Sequence, residues 1–100
     1  MILYHVTTER KAKAYKDSGE IHSPVRGFDS LPAAMFWAMK TGRKVIYSFF
    51  CVDDKTYKLP DHHNEWGNAY WTEDVIKYSY LSCVCSATAS GHGFNDKDAA

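Results

Sequence analysis

One hundred residues make a single domain with a core of moderate size, and a hydrophobic share of 45% lets such a chain fold without staples. Basic and acidic residues balance at 12 each, so net charge does not indicate nucleic acid, although it leaves room for a local basic patch. No apolar run approaches the roughly 20 residues of a membrane span and no secretion signal is visible, so a cytoplasmic protein without a membrane partner is expected.

Residues 2 to 7, Ile-Leu-Tyr-His-Val-Thr, read as a strand with Ile2, Tyr4 and Val6 on one face and Leu3, His5 and Thr7 on the other. An imidazole and a hydroxyl on one face of a core strand need hydrogen-bond partners, supplied by the fold or by a ligand. Thr7 or Thr8 caps a helix over Glu9 to Asp17, which Ser18-Gly19 stops. Its apolar face is thin, so it is expected on the surface. Glu20 to His22 is a short extended piece, and Pro24 and Gly27 mark a loop.

Ser30 is a good N-cap, Pro32 sits in the first turn, and Gly42 ends a helix near 31 to 41. Ala33 to Met39 is apolar nearly all round, which predicts burial on more than one side, with Trp37 in the core. Lys44 to Val52 predicts a central strand covered on both faces. Asp53-Asp54-Lys55 is a turn, and Thr56 to Leu59 is a brief strand that Pro60 stops. Asp61 to Thr72 mixes polar and aromatic residues around a glycine, the composition of a functional loop. Glu73-Asp74 begins a turn, and residues 75 to 84 form the last strand. Residues 86 to 100 lack periodicity and are expected to be a disordered tail after a domain over 1 to 85.

Three cysteines, Cys51, Cys83 and Cys85, are an odd count that suits reduced thiols. They read as small core hydrophobes, with Cys83 and Cys85 sharing one strand face. His62 and His63 are adjacent, so a strand would point them to opposite faces, and no metal is expected. The chain has no G-x-G-x-x-G or G-x-x-x-x-G-K motif, which argues against a Rossmann or P-loop fold. The fold class is therefore α+β: one small domain with two helices and a mixed or largely antiparallel sheet.

Four stretches, taken in order, resemble the ADP-ribosyltransferase-like superfamily, and most closely its small bacterial and phage members. They are Leu3 to Thr7, Ala14 to Ile21, Gly27-Phe28-Asp29-Ser30 with the helix that follows, and Ile46 to Asp53. The resemblance covers about residues 2 to 84 and is one of spacing. It implies an ADP-ribosyltransferase-like fold with NAD, as substrate, in a cleft between two halves of the sheet. His5 would hold the ribose of the nicotinamide half, with Thr7 nearby. Phe28 and Ser30 would pack on nicotinamide, helped by Tyr47 or Trp37. A glutamate would stabilise the cation formed as nicotinamide leaves, because a carboxylate beside developing positive charge lowers the barrier. Glu65 is the best match for that role and Glu73 the alternative, since no glutamate begins a strand after the long one.

Trp66, Tyr70 and Trp71 either cover the core or form an aromatic wall for a nicotinamide or base ring. Two classes of function follow. One is an NAD-dependent transferase in which His5, Ser30 and Glu65 line one cleft. The other is a non-catalytic interaction protein, such as a phage or mobile-element effector, that keeps the fold and blocks a protein partner; a binder of nucleotide-like small molecules that does no chemistry is a third, weaker option. The position of the carboxylate separates them.

Overall fold

The computed structural model describes residues 1–86, the last two as backbone. Eight strands and two α-helices follow in the order β1 (Ile2–Thr7), α1 (Glu9–Ser18), β2 (Glu20–Ile21), β3 (Val25–Phe28), α2 (Leu31–Thr41), β4 (Val45–Phe50), β5 (Thr56–Asn64), β6 (Gly67–Thr72), β7 (Ile76–Lys77) and β8 (Ser82–Ser86). The main sheet has six strands in the order β5-β6-β3-β1-β4-β8, and β2 pairs with β7 in a small second sheet. Every strand pair is antiparallel, as an α+β domain with a largely antiparallel sheet requires.

The two faces of the main sheet carry different cores. On one face Val6, Phe28, Ile46 and Ala69 pack under Ala33, Ala34 and Ala38 of α2. On the other, Leu3, Val25, Phe49 and Cys51 pack under Ile21 of β2 and Ile76 of β7, with Tyr15 of α1 against them. The alternation read from β1 produces this division: Leu3 is fully buried on one face and Val6 is buried on the other. Ile2, at the strand's start, stays exposed.

Both helices begin and end where their caps dictate. Thr8 accepts the Lys11 N–H at 3.1 Å, Ser30 accepts the Ala33 N–H at 3.2 Å, and Gly19 and Gly42 close the two C-termini. No α1 residue is buried, so it is the surface helix its thin apolar face predicts.

Several expectations need correction. Gly27 does not mark a loop but lies in β3, a strand between β6 and β1, whereas Pro24 sits in the bend before it. Gly27 is there because the strands approach closely: a Cβ on it would stand 3.0 Å from both the Leu3 Cβ and the Tyr4 carbonyl oxygen. Pro60 does not end β5, because β5 is an edge strand and needs no N–H at that position; the pairing with β6 is irregular between Leu59 and His63. The region 61 to 72 is mostly strand, with its turn at Glu65-Trp66. The last strand is broken by a 3-10 turn at Tyr78–Tyr80.

Helix α2 is buried on one side only. Its alanines let it sit close on the sheet, while Phe36 and Met39 stay exposed and Trp37 is half-buried. Phe50 and Val52, at the end of the long apolar run, are exposed as well. Cys51 is a core residue but Cys83 is exposed on the edge strand β8. The expected tail beyond Ser86, and the Cys85 side chain, lie outside the described residues.

Candidate functional site

Strands β1 and β3 meet at a single residue pair, Tyr4 with Phe28, and then part. A cleft of about 860 Å³ opens where they separate, within the roughly 300–1,000 Å³ of typical ligand sites. His5 and Thr7 line it from β1, Arg26 and Phe28 from β3, and Trp37 from α2. The Phe28 and Trp37 rings lie 6.2 Å apart at 50°, a tilted aromatic wall.

His5 spans the parted strands. Its Nδ1 lies 2.6 Å from the Arg26 carbonyl oxygen, which can only accept, so Nδ1 carries a proton. Nε2 is then bare in the neutral ring and accepts the Tyr15 O–H at 3.1 Å. The Tyr15 oxygen in turn accepts from Thr7 Oγ1, 3.4 Å away. Thr7 is almost completely buried, and this contact is how the fold satisfies it. The partners that the polar face of β1 needs are therefore internal: a strand carbonyl and a helix phenol. His5 ties β1, β3 and α1 together at the cleft floor.

Burial lowers the His5 pKa from its ordinary value. Lys11 and Arg43 push the same way, against the Arg26 carbonyl, which favours the protonated ring. The unfolded ring titrates near about 6.5. Below that pH the unfolded chain binds more protons at this position than the folded one, so stability falls as pH drops through 6.5 toward the lower folded value. The urea midpoint of the wild type should therefore fall further between pH 7 and pH 5 than that of His5→Gln. Equal falls would show that His5 is not the group titrating.

The cleft is strongly cationic although the chain is neutral. Lys11, Arg26, Lys40 and Arg43 line it, against one carboxylate, Asp61. None of the four cations forms an ion pair with a carboxylate among the described residues. Low-dielectric walls lined by one sign of charge concentrate the potential and favour an anionic ligand.

The residues proposed from sequence divide. His5, Thr7 and Phe28 line the cleft together with Trp37; Ser30, Tyr47, Glu65 and Trp71 do not. Ser30 is occupied at the start of α2, where it also donates to the Trp66 carbonyl at 2.8 Å. Beside it Asp29 accepts the Asn68 N–H at 2.9 Å, and the two residues pin the β5–β6 hairpin to the helix. Gly67 permits this, since a Cβ there would come within 2.5 Å of Asp29 Oδ1. Tyr47 packs edge-on against Tyr78, 6.2 Å between centroids, and burial raises its pKa. Trp71 stacks on Tyr57 at 4.8 Å, and Tyr57 donates to the Glu73 carboxylate. Glu65 is exposed at the hairpin turn.

Sequence reasoning missed Tyr15, the four cations and Asp61. A signal existed for part of this set. Phe36 and Lys40 are one helical turn apart, Arg43 follows just past the Gly42 stop, and no acidic residue occurs between Asp29 and Asp53. Among the described residues no group of three or more His, Cys, Asp or Glu side chains is placed to hold a metal, and no helix is long and apolar enough to cross a membrane. Comparison with protein-family models, curated proteins and solved structures finds no match for this chain.

Proposed function

We propose that the chain binds a nucleotide-like anion in the cleft between β1 and β3, with NAD and ADP-ribose as the first candidates. The observation that carries this reading is the set of four unpaired cations around an aromatic-walled cleft of ligand size. A pyrophosphate would meet Lys11, Arg26, Lys40 or Arg43, and a flat ring would lie against Phe28 and Trp37. Neither Glu65 nor Glu73 lines the cleft, so binding without chemistry has more support than ADP-ribosyl transfer. The transferase reading rests on Asp61, the one carboxylate in the lining.

Thermal shift with NAD, ADP-ribose and nicotinamide tests the proposal. A ligand specific to the folded state stabilises it by about 2.7 kcal/mol at a hundredfold excess over Kd. NAD and ADP-ribose should raise the melting temperature, and Arg26→Ala should abolish the rise. No shift at millimolar NAD or ADP-ribose would sink the reading. Release of nicotinamide by the wild type, lost in Asp61→Asn, would favour the transferase.

A further inference from the structure

The cationic lining does not end inside the cleft. Phe36 is shared between the cleft and the outer surface of α2, where its ring meets Trp66 of the hairpin turn at 5.0 Å and 41°. Both are strongly exposed for aromatic residues, Phe36 at 39% and Trp66 at 47%. Lys40 stands one turn after Phe36 on α2, and Arg43, just past the Gly42 cap, lines the same cleft, so an aromatic ring and two cations border it together. Lys44 adds a further positive charge, and no acid interrupts the sequence from Ser30 to Val52. A chain of zero net charge thus places cations beside a pair of exposed rings that touch each other.

We propose that this surface docks single-stranded nucleic acid, whose phosphates follow Lys40 and Arg43 into the cleft and whose bases stack on the Phe36–Trp66 pair. A positive track with flanking aromatic side chains is the combination that holds single strands, because every base has a flat face and every linkage a negative charge. A duplex hides those faces in its stack. An acidic peptide would use the cations but leaves the two rings without a flat partner. The proposal shares the cleft's cations with the nucleotide reading but does not depend on NAD being the ligand.

The test is fluorescence anisotropy of the whole chain with a labelled oligothymidylate of about 12 nucleotides, long enough for one small domain. Binding is expected at about 50 mM salt and should weaken toward 200 mM with a log–log slope of roughly −2, as for three contacted phosphates. Trp66→Ala should lower affinity about tenfold, whereas Trp66→Phe, which keeps a ring, should bind nearly as well as the wild type. The double variant Lys40→Gln, Arg43→Gln should flatten the salt slope to roughly −0.7. Circular dichroism melts identify any variant that does not fold, and the other then carries the test. No binding at low salt, or equal affinity for the wild type and a folded Trp66→Ala, would overturn the proposal. So would equal competition by a polyglutamate peptide, which would assign the surface to an acidic protein. Oligonucleotide binding without any NAD or ADP-ribose binding would remove the previous reading and leave this one standing.

Discussion

Leu3→Ala is expected to lower the stability of the domain by about 2–5 kcal/mol, the range for truncating a fully buried leucine. Leu3 has no exposed surface and sits in β1, an interior strand of the main sheet, against Ile21, Val25, Phe49 and Ile76. Removing its isobutyl group leaves a cavity between the main sheet and the β2–β7 pair. The closely packed neighbours can refill it only in part. Against a total of about 5–15 kcal/mol for a domain, such a loss is severe. Urea melts followed by tryptophan fluorescence measure it. The informative control is Ile2→Ala, one residue earlier on the opposite face, where the side chain is 52% exposed. That variant should stay within about 1 kcal/mol of the wild type. Equal costs at the two positions would mean that the faces of β1 are not divided as described.

His5→Ala should cost on the order of 2–4 kcal/mol, through two orphaned groups more than through lost volume. The Arg26 carbonyl loses its imidazole donor, and the Tyr15 hydroxyl loses its acceptor at the point where β1 and β3 part. His5→Gln, whose amide can both donate and accept, should recover part of the loss. A ligand-holding histidine would behave in the opposite way, with weakened binding and an unchanged melting point. The comparison therefore separates a histidine that builds the cleft from one that touches what enters it. An alanine variant that melts like the wild type would refute the internal clamp.

The balance of charge and the cationic cleft are compatible because folding sorts the charges. Glu73 and Asp74 lie in the turn after β6, and Asp53 and Asp54 in the turn after β4. Lys40 stands in the last turn of α2 and Arg43 just beyond its Gly42 cap, at the end where cations also suit the helix dipole. Net charge is a property of composition, and the potential in a cleft is a property of placement.

The amino-acid sequence by itself determined the elements whose energetics are local. Thr7 or Thr8 with Gly19, and Ser30 with Gly42, bound the two helices, because a cap is satisfied within three or four residues of its own position; the structure takes Thr8, since Thr7 ends β1. The alternation in β1 and the apolar run of β4 likewise identify themselves. Tertiary structure alone decided β3 and the β5–β6 hairpin. Gly27 is tolerated in a strand because a neighbouring backbone comes close to it, and Pro60 because its strand is at an edge; neither fact is written near those residues. It also decided which side of α2 is buried, since Ala33, Ala34 and Ala38 allow a close approach that Phe36 and Met39 would block. The site followed the same rule. His5 announced a polar group in need of partners, but the Arg26 carbonyl and Tyr15 reach it only through strand register and helix docking. Ser30, Tyr47, Glu65 and Trp71 are near the cleft residues in sequence or in element order, and register turns them to other tasks. Pairing across the sheet is a contest among distant segments, so no local window of sequence contains its outcome.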